Sequence, residues 1–354
     1  MPKTVKNSRW AVLDIAKAIA VIFMLLGHNL MWWYVTDGQQ FVANLEIEIN
    51  LAPLIFGVFA LFVMSLPITA GMALRFYFRR AWDTQKQKLG KQFPFLKKLR
   101  VALYVVLCGF LLNYLNWGTD DIFLWNVLAF FGLSLFTIIF FLKFFRWRYL
   151  QIFALTVLLS APWLRAFFWR DGQYSYPEAV FFGEPGNLHD WPFFPWFAII
   201  VSGFFIADFY LSKHKKQFSK ILSIAGSVLL LLALLVSGSV FYRLDFNNAW
   251  GANLFEPPTL RILGQLGFFA IFFAALNYFF GKTKLKKYGI INTFSHGILY
   301  IYLFNYTVGY HLTNFWKLQH EFKMLGISLL LQFIVAYLIG TLVVFLKFRK
   351  RGYD

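Results

Sequence analysis

At 354 residues a soluble chain would hold about two or three domains, but 59% hydrophobic, 21% aromatic and only 14% charged residues exclude both a soluble globular class and a disordered one. The expected fold is all-α: a polytopic integral membrane protein, since long apolar runs in lipid satisfy their backbone groups as helices. A net charge of +18 does not call for nucleic acid, because an excess of Lys and Arg on the cytoplasmic side of a membrane accounts for it, and the single Cys108 excludes an intrachain disulfide and a thiolate metal cluster.

Ten hydrophobic segments follow in chain order, at about 10–33, 52–76, 101–117, 122–142, 149–168, 193–212, 221–242, 262–281, 288–312 and 324–347. Lys and Arg alternate between their connections. The tail to Arg9, the 75–100 stretch, the turns at 143–148, 213–220 and 282–287 and the C-terminus together hold 27 of the 34 basic residues, and the opposite connections hold most of the acids. About ten transmembrane helices with both termini cytoplasmic are therefore expected.

The first segment carries Asp14, Lys17 and His28 inside an otherwise apolar run. An ionisable side chain in the hydrocarbon costs at least about 2.5 kcal/mol, so it faces protein or a watery cavity. Eleven residues separate Lys17 from His28, about three helical turns, which places both on one face as a polar seam. His28 then lies near the outer end, where a neutral imidazole suits a general base; a histidine hydrogen-bonded inside a bundle is the plainer alternative. An Asp14–Lys17 pair at i, i+3 is the plainer account of those two charges. Asn29 follows His28 directly.

The second segment ends in Arg75, Arg79 and Arg80, followed by six further basic residues up to Arg100. Guanidinium forks four residues apart suit phosphates, and anchoring to anionic lipid heads is the alternative. On the outer side, Asp120 and Asp121 occupy a short turn, and the 170–196 connection gathers Glu178, Glu184, His189, Asp190 and many aromatic residues before Trp196. Acids and flat rings suit a sugar; the aromatic belt of membrane proteins is the alternative. The ninth segment is rich in Ser295, His296, Tyr300, Tyr302, Asn305, Tyr306 and Tyr310, which suits hydrogen bonding between helices. No metal-ligand spacing, phosphate-binding glycine loop or nucleophile elbow is present, so no metal is expected.

The run Asp14-Ile-Ala-Lys17 through Gly27-His28 resembles the first-helix signature of the transmembrane acyltransferase superfamily, which includes acyltransferase family 3 and heparan-α-glucosaminide N-acetyltransferase. Thr69-Ala70-Gly71 to Arg79, Asp120-Asp121-Ile122 with Leu128-Ala129, Asp190-Trp-Pro-Phe-Phe-Pro195-Trp196 through Gly203, and Tyr302-Leu-Phe-Asn305 are similar to further stretches of it, so the resemblance covers most of the chain. Lys17 stands where that superfamily has Arg, and Asn305 where many members have His.

The resemblance implies one transmembrane acyltransferase-like domain over 1–354 in a bacterial inner membrane. It implies an acyl-CoA co-substrate, acetyl-CoA above all, bound from the cytoplasmic side by Lys17, Arg75, Arg79 and Arg80. His28 would be the catalytic base or acyl carrier, with Asn29 or a ninth-segment Tyr at the oxyanion. Asp120, Asp121, Glu178, His189, Asp190 and Trp196 would meet a saccharide or glycolipid acceptor, and membrane lipids are the other partners. The rival class is a proton-coupled transporter or channel using the Asp14, Lys17 and His28 seam, with Asp208 further along the path.

Overall fold

The computed structural model describes residues 10–35, 65–78, 95–145, 147–168, 176–182, 191–212, 215–236, 259–286, 289–317 and 322–349, and among these there is no β-strand. The long helices are α1 (Ala11–Val35), α2 (Ser65–Tyr77), α3 (Phe95–Trp117), α4 (Val127–Phe144), α5 (Trp147–Phe168), α7 (Phe193–Leu211), α8 (Phe218–Val236), α9 (Thr259–Phe280), α10 (Ile290–Phe304) and α12 (Phe322–Arg349). Each falls on one of the ten hydrophobic segments; residues 52–64 of the second segment lie outside the described residues. Among the described residues there are also two short α-helices, α6 (Tyr176–Phe182) and α11 (Tyr310–Lys317), the latter joined to α10 by a π-helical turn at Asn305–Gly309, and a 3-10 turn at Lys215–Gln217. Six helices among the described residues are long and apolar enough to cross a membrane: α1, α4, α7, α8, α9 and α12.

The helices show the surface that lipid requires. On α12 the exposed Leu331, Ile334, Leu338 and Leu342 recur every three or four residues, while Leu325, Ser328, Gln332 and Ala336 form the buried stripe. Ile224, Val228, Leu231 and Leu235 make the same exposed stripe on α8. In water such stripes would be sites of aggregation; against acyl chains they are solvated.

The chain divides into two compact units, Met1–Leu66 with Phe273–Asp354, and Pro67–Phe272. In the first, α1 packs against α10, α11 and α12, and α10 against α12. Lipid gives no hydrophobic drive for helix association, so polar contacts and close packing hold such a bundle. The Asp14 carboxylate accepts from the Ser295 hydroxyl of α10, and the Trp10 indole donates to Asn277 Oδ1 over 3.4 Å.

In the second unit α3 pairs with α4 and α5 with α7. Asn126 starts α4: its Oδ1 accepts from the Leu128 and Ala129 amides, both at 3.0 Å, and its Nδ2 donates to the Gly109 carbonyl and to Asn113 Oδ1, both at 2.8 Å. Helices α2 and α7 cross at backbone contact. A methyl group on Gly71 would lie 1.8 Å from the Ile200 carbonyl oxygen, and one on Gly203 would lie 2.0 Å from that of Ile68. Only glycine at both positions permits this approach.

Candidate functional site

His28 sits half-buried on α1, in the first unit, with three rings around it. Trp32, one turn on, stacks on it at 5.1 Å between centroids, while Tyr306 and Tyr302 meet it edge-on at 5.3 and 6.2 Å. The two tyrosines are themselves stacked at 5.4 Å. His28 Nδ1 lies 2.6 Å from Oδ1 of Asn305.

Behind Asn305 is a buried polar cluster. Its Nδ2 donates to Gln332 Oε1 at 2.8 Å, and Gln332 forms a reciprocal amide pair with Asn29: Asn29 Nδ2 donates to Gln332 Oε1 at 2.9 Å, and Gln332 Nε2 donates to Asn29 Oδ1 at 2.7 Å. Asn29 Nδ2 also donates to the Leu25 carbonyl at 2.8 Å, and the Thr313 hydroxyl lies 2.9 Å from Asn29 Oδ1. Ser328, one turn before Gln332, lies 3.1 Å from its Nε2. Asn29, Asn305, Thr313, Ser328 and Gln332 are all fully buried. The π-helical turn serves this cluster. The Gly309 carbonyl takes side-chain donors from Thr313 at 2.8 Å and Gln332 at 3.3 Å, and a methyl group on Gly309 would lie 2.6 Å from Gln332 Oε1.

Two sequence expectations gain definite surroundings here. Asn29 has its amide donors on Leu25 and Gln332, which makes it a brace behind His28. Lys17 is half-buried on the same side of α1 as His28, but the turns between them carry Val21 and Met24, buried to 0% and 1% exposure, so apolar side chains fill the seam at that point.

The remaining expected residues belong to the second unit or lie outside the described residues, as Arg79, Arg80, His189 and Asp190 do. Arg75 on α2 is buried at 3% exposure, and its Nε and Nη2 both reach Oδ1 of Asp208 on α7, at 2.9 and 2.8 Å. Asp120 is exposed and Asp121 half-buried on the turn between α3 and α4, and Glu178 is half-buried on α6. Hydrogen bonds gather these elements: the Tyr176 hydroxyl donates to the Phe123 carbonyl, and the Trp125 indole donates to the Trp191 carbonyl at 3.0 Å. Trp191 holds φ at +65°, the left-handed region a bulky residue rarely takes, with its ring 4.4 Å from that of Trp196. Trp196 is completely buried and packs the entry to α7. Arg165 on α5 closes this end, donating to the carbonyls of Phe182 at 2.9 Å and of Phe194 at 3.2 Å, where the helix entry is kinked.

Residues 9–242 match the family model of the heparan-alpha-glucosaminide N-acetyltransferase catalytic domain. The chain belongs to this family. It is thus a member of a membrane acetyltransferase family, as the first-helix resemblance implies. No curated protein and no solved structure matches it.

The family match takes in His28, Arg75, the Asp120–Asp121 turn and Trp196, and ends before Asn305, Thr313, Ser328 and Gln332. Of these last four, the sequence reading reached only Asn305. For Ser328 and Gln332 the signal was present: they are polar residues four apart in an apolar helix, which in lipid must face protein. Nothing in the sequence named their partner.

Proposed function

We propose that the chain moves an acyl group, acetyl by preference, from cytoplasmic acyl-CoA to a hydroxyl or amine of an extracytoplasmic saccharide, with His28 as general base or acyl carrier. The observation that supports it is His28 itself, in the family-matched first helix, ringed by Trp32, Tyr302 and Tyr306 and bonded through Nδ1 to an amide oxygen. With Nδ1 donating, Nε2 carries the lone pair a base requires. As base, Nε2 takes the proton of the acceptor group while its oxygen or nitrogen attacks the thioester carbonyl carbon. The carbon–sulfur bond breaks, and the CoA thiolate leaves with the proton that the imidazolium returns. Because the Asn29 donors are engaged, the hydroxyls of Tyr302 and Tyr306 are the candidates to stabilise the oxyanion.

The donor's phosphates are assigned to Lys17 and the Arg79–Arg80 pair. The Arg75 guanidinium, four residues before Arg79 in the sequence, is engaged by Asp208 through Nε and Nη2. Asp120, Asp121 and Glu178 are the candidate acceptor contacts, with His189 and Asp190 from the same connection. About ten spans, cytoplasmic termini and a bacterial inner membrane complete the reading, supported by the alternation of basic and acidic connections.

The test is release of CoA thiol by the purified protein from acetyl-CoA in the presence of a saccharide acceptor. His28→Ala should lower turnover by about 10²–10⁴-fold, the usual contribution of a positioned base. Undiminished turnover in a folded His28→Ala protein would refute the mechanism. Solute flux without consumption of acetyl-CoA would support the transporter class instead.

A further inference from the structure

We propose that Gln332 fixes the tautomer of His28: through Asn305 it holds the imidazole proton on Nδ1 and leaves Nε2 free to act as base. This deepens the reading above and rests on His28 being that base; Gln332, Asn29 and Asn305 are positioning residues.

Each of three primary amides in a row has two ends of similar shape and opposite hydrogen-bonding sense, and backbone carbonyls decide which way they face. A carbonyl oxygen only accepts. The Leu25 carbonyl lies 2.8 Å from Asn29 Nδ2; with that amide reversed, two oxygens would meet at this distance. Asn29 Oδ1 therefore faces Gln332 Nε2 at 2.7 Å, and the Gly309 carbonyl, 3.3 Å from the same Nε2, requires the same orientation independently. Gln332 Oε1 is then presented to Asn29 Nδ2 at 2.9 Å and to Asn305 Nδ2 at 2.8 Å. Asn305 is left with its oxygen toward His28, 2.6 Å from Nδ1, and only a protonated Nδ1 bonds to an oxygen there.

The relay matters because the residue facing His28 is an amide. A carboxylate accepts through either oxygen and would select the Nδ1–H tautomer unaided. An asparagine that turned over would offer Nδ2 instead, which donates to an unprotonated Nδ1 and leaves the proton on Nε2, where it blocks the base. Turning Asn305 alone sets its oxygen against Gln332 Oε1. Turning all three sets oxygens against Leu25 and Gly309. All three amides are 0% exposed, so no water compensates for either arrangement. Gln332, Asn305 and Gly309 all lie beyond residues 9–242, so the family match does not itself supply the device.

The experiment is nitrogen NMR of full-length protein with ¹⁵N-labelled histidine in detergent micelles, with His28→Gln assigning the signals. Wild type should show a single Nδ1-protonated imidazole, Gln332→Leu a mixture of tautomers, and Asn305→Asp/Gln332→Leu the Nδ1-protonated form again. That rescue is not expected of residues that merely pack. In parallel, with acetyl-CoA and glucosamine, Gln332→Leu should lower kcat in proportion to the Nε2-protonated fraction in its spectrum, by about twofold or more, with KM for acetyl-CoA unchanged. A folded Gln332→Leu protein that keeps the single Nδ1-protonated signal would overturn the proposal, as would a double variant no different from the single one. Should Gln332→Leu fail to fold, the wild-type spectrum decides, since an Nε2-protonated or mixed imidazole refutes the relay. Full turnover by His28→Ala would remove the base reading while leaving the tautomer assignment to stand or fall on the spectrum.

Discussion

Replacing Arg75 by Met leaves the Asp208 carboxylate without the two donors that reach its Oδ1, at 2.8 and 2.9 Å, between α2 and α7. The two side chains are 3% and 16% exposed, so water replaces little of the lost contact. Breaking a buried ion pair from one side costs about 3–5 kcal/mol, whereas replacing both partners by apolar groups is near neutral. Taking an unfolding entropy of about 2 cal/mol/K per residue over the chain, each single variant should melt about 5 °C lower. Arg75→Met/Asp208→Leu should melt within about 2 °C of wild type, because the desolvation of both charges is removed with the pair. The assay is a tryptophan-fluorescence melt of the detergent-solubilised protein, run as a double-mutant cycle. Additive losses, with the double variant melting lowest, would refute the pairing. Single variants that melt as wild type would do the same. If the double variant melts normally but its KM for acetyl-CoA rises tenfold, Arg75 also meets the donor's phosphates.

Gly203→Ala should destabilise by about 1–3 kcal/mol through overpacking against Ile68, while Gly326→Ala, where an added methyl meets nothing within 4 Å, should gain up to about 1 kcal/mol in helix propensity; equal melting temperatures would refute the close crossing of α2 and α7. Asn126→Ala removes the α4 cap and two further buried hydrogen bonds and should cost about 2 kcal/mol or more, read in the same melt. Arg79→Ala/Arg80→Ala should raise KM for acetyl-CoA more than it lowers kcat, by steady-state kinetics; an unchanged KM would move the phosphate site elsewhere.

The membrane class and the helices were legible in the sequence because hydropathy and charge alternation are properties of neighbouring residues. Among the described residues a helix falls on part or all of each apolar segment, six of them long and apolar enough to cross a membrane, and the family resemblance of the first helix agrees with the match over residues 9–242. Composition could not say which polar residues meet. Asp14 reads as a partner of Lys17 one turn away; the structure adds a hydrogen bond from Ser295, 281 positions along the chain, which no local spacing announces. Arg75 reads as a phosphate fork because it stands beside Arg79 and Arg80; the structure sets it on Asp208.

The sequence by itself determined that His28 lies in an apolar helix and must face something other than lipid, since burial of an imidazole in hydrocarbon is costly wherever the helix packs. Only the tertiary structure decided what it faces. A hydrogen bond needs its atoms within about 3 Å, and such approach depends on how whole helices cross. Asn305 reaches His28 across 277 positions and Gln332 reaches Asn29 across 303. The direction of the amides, and with it the proton on His28, follows from two backbone carbonyls whose placement no local pattern records.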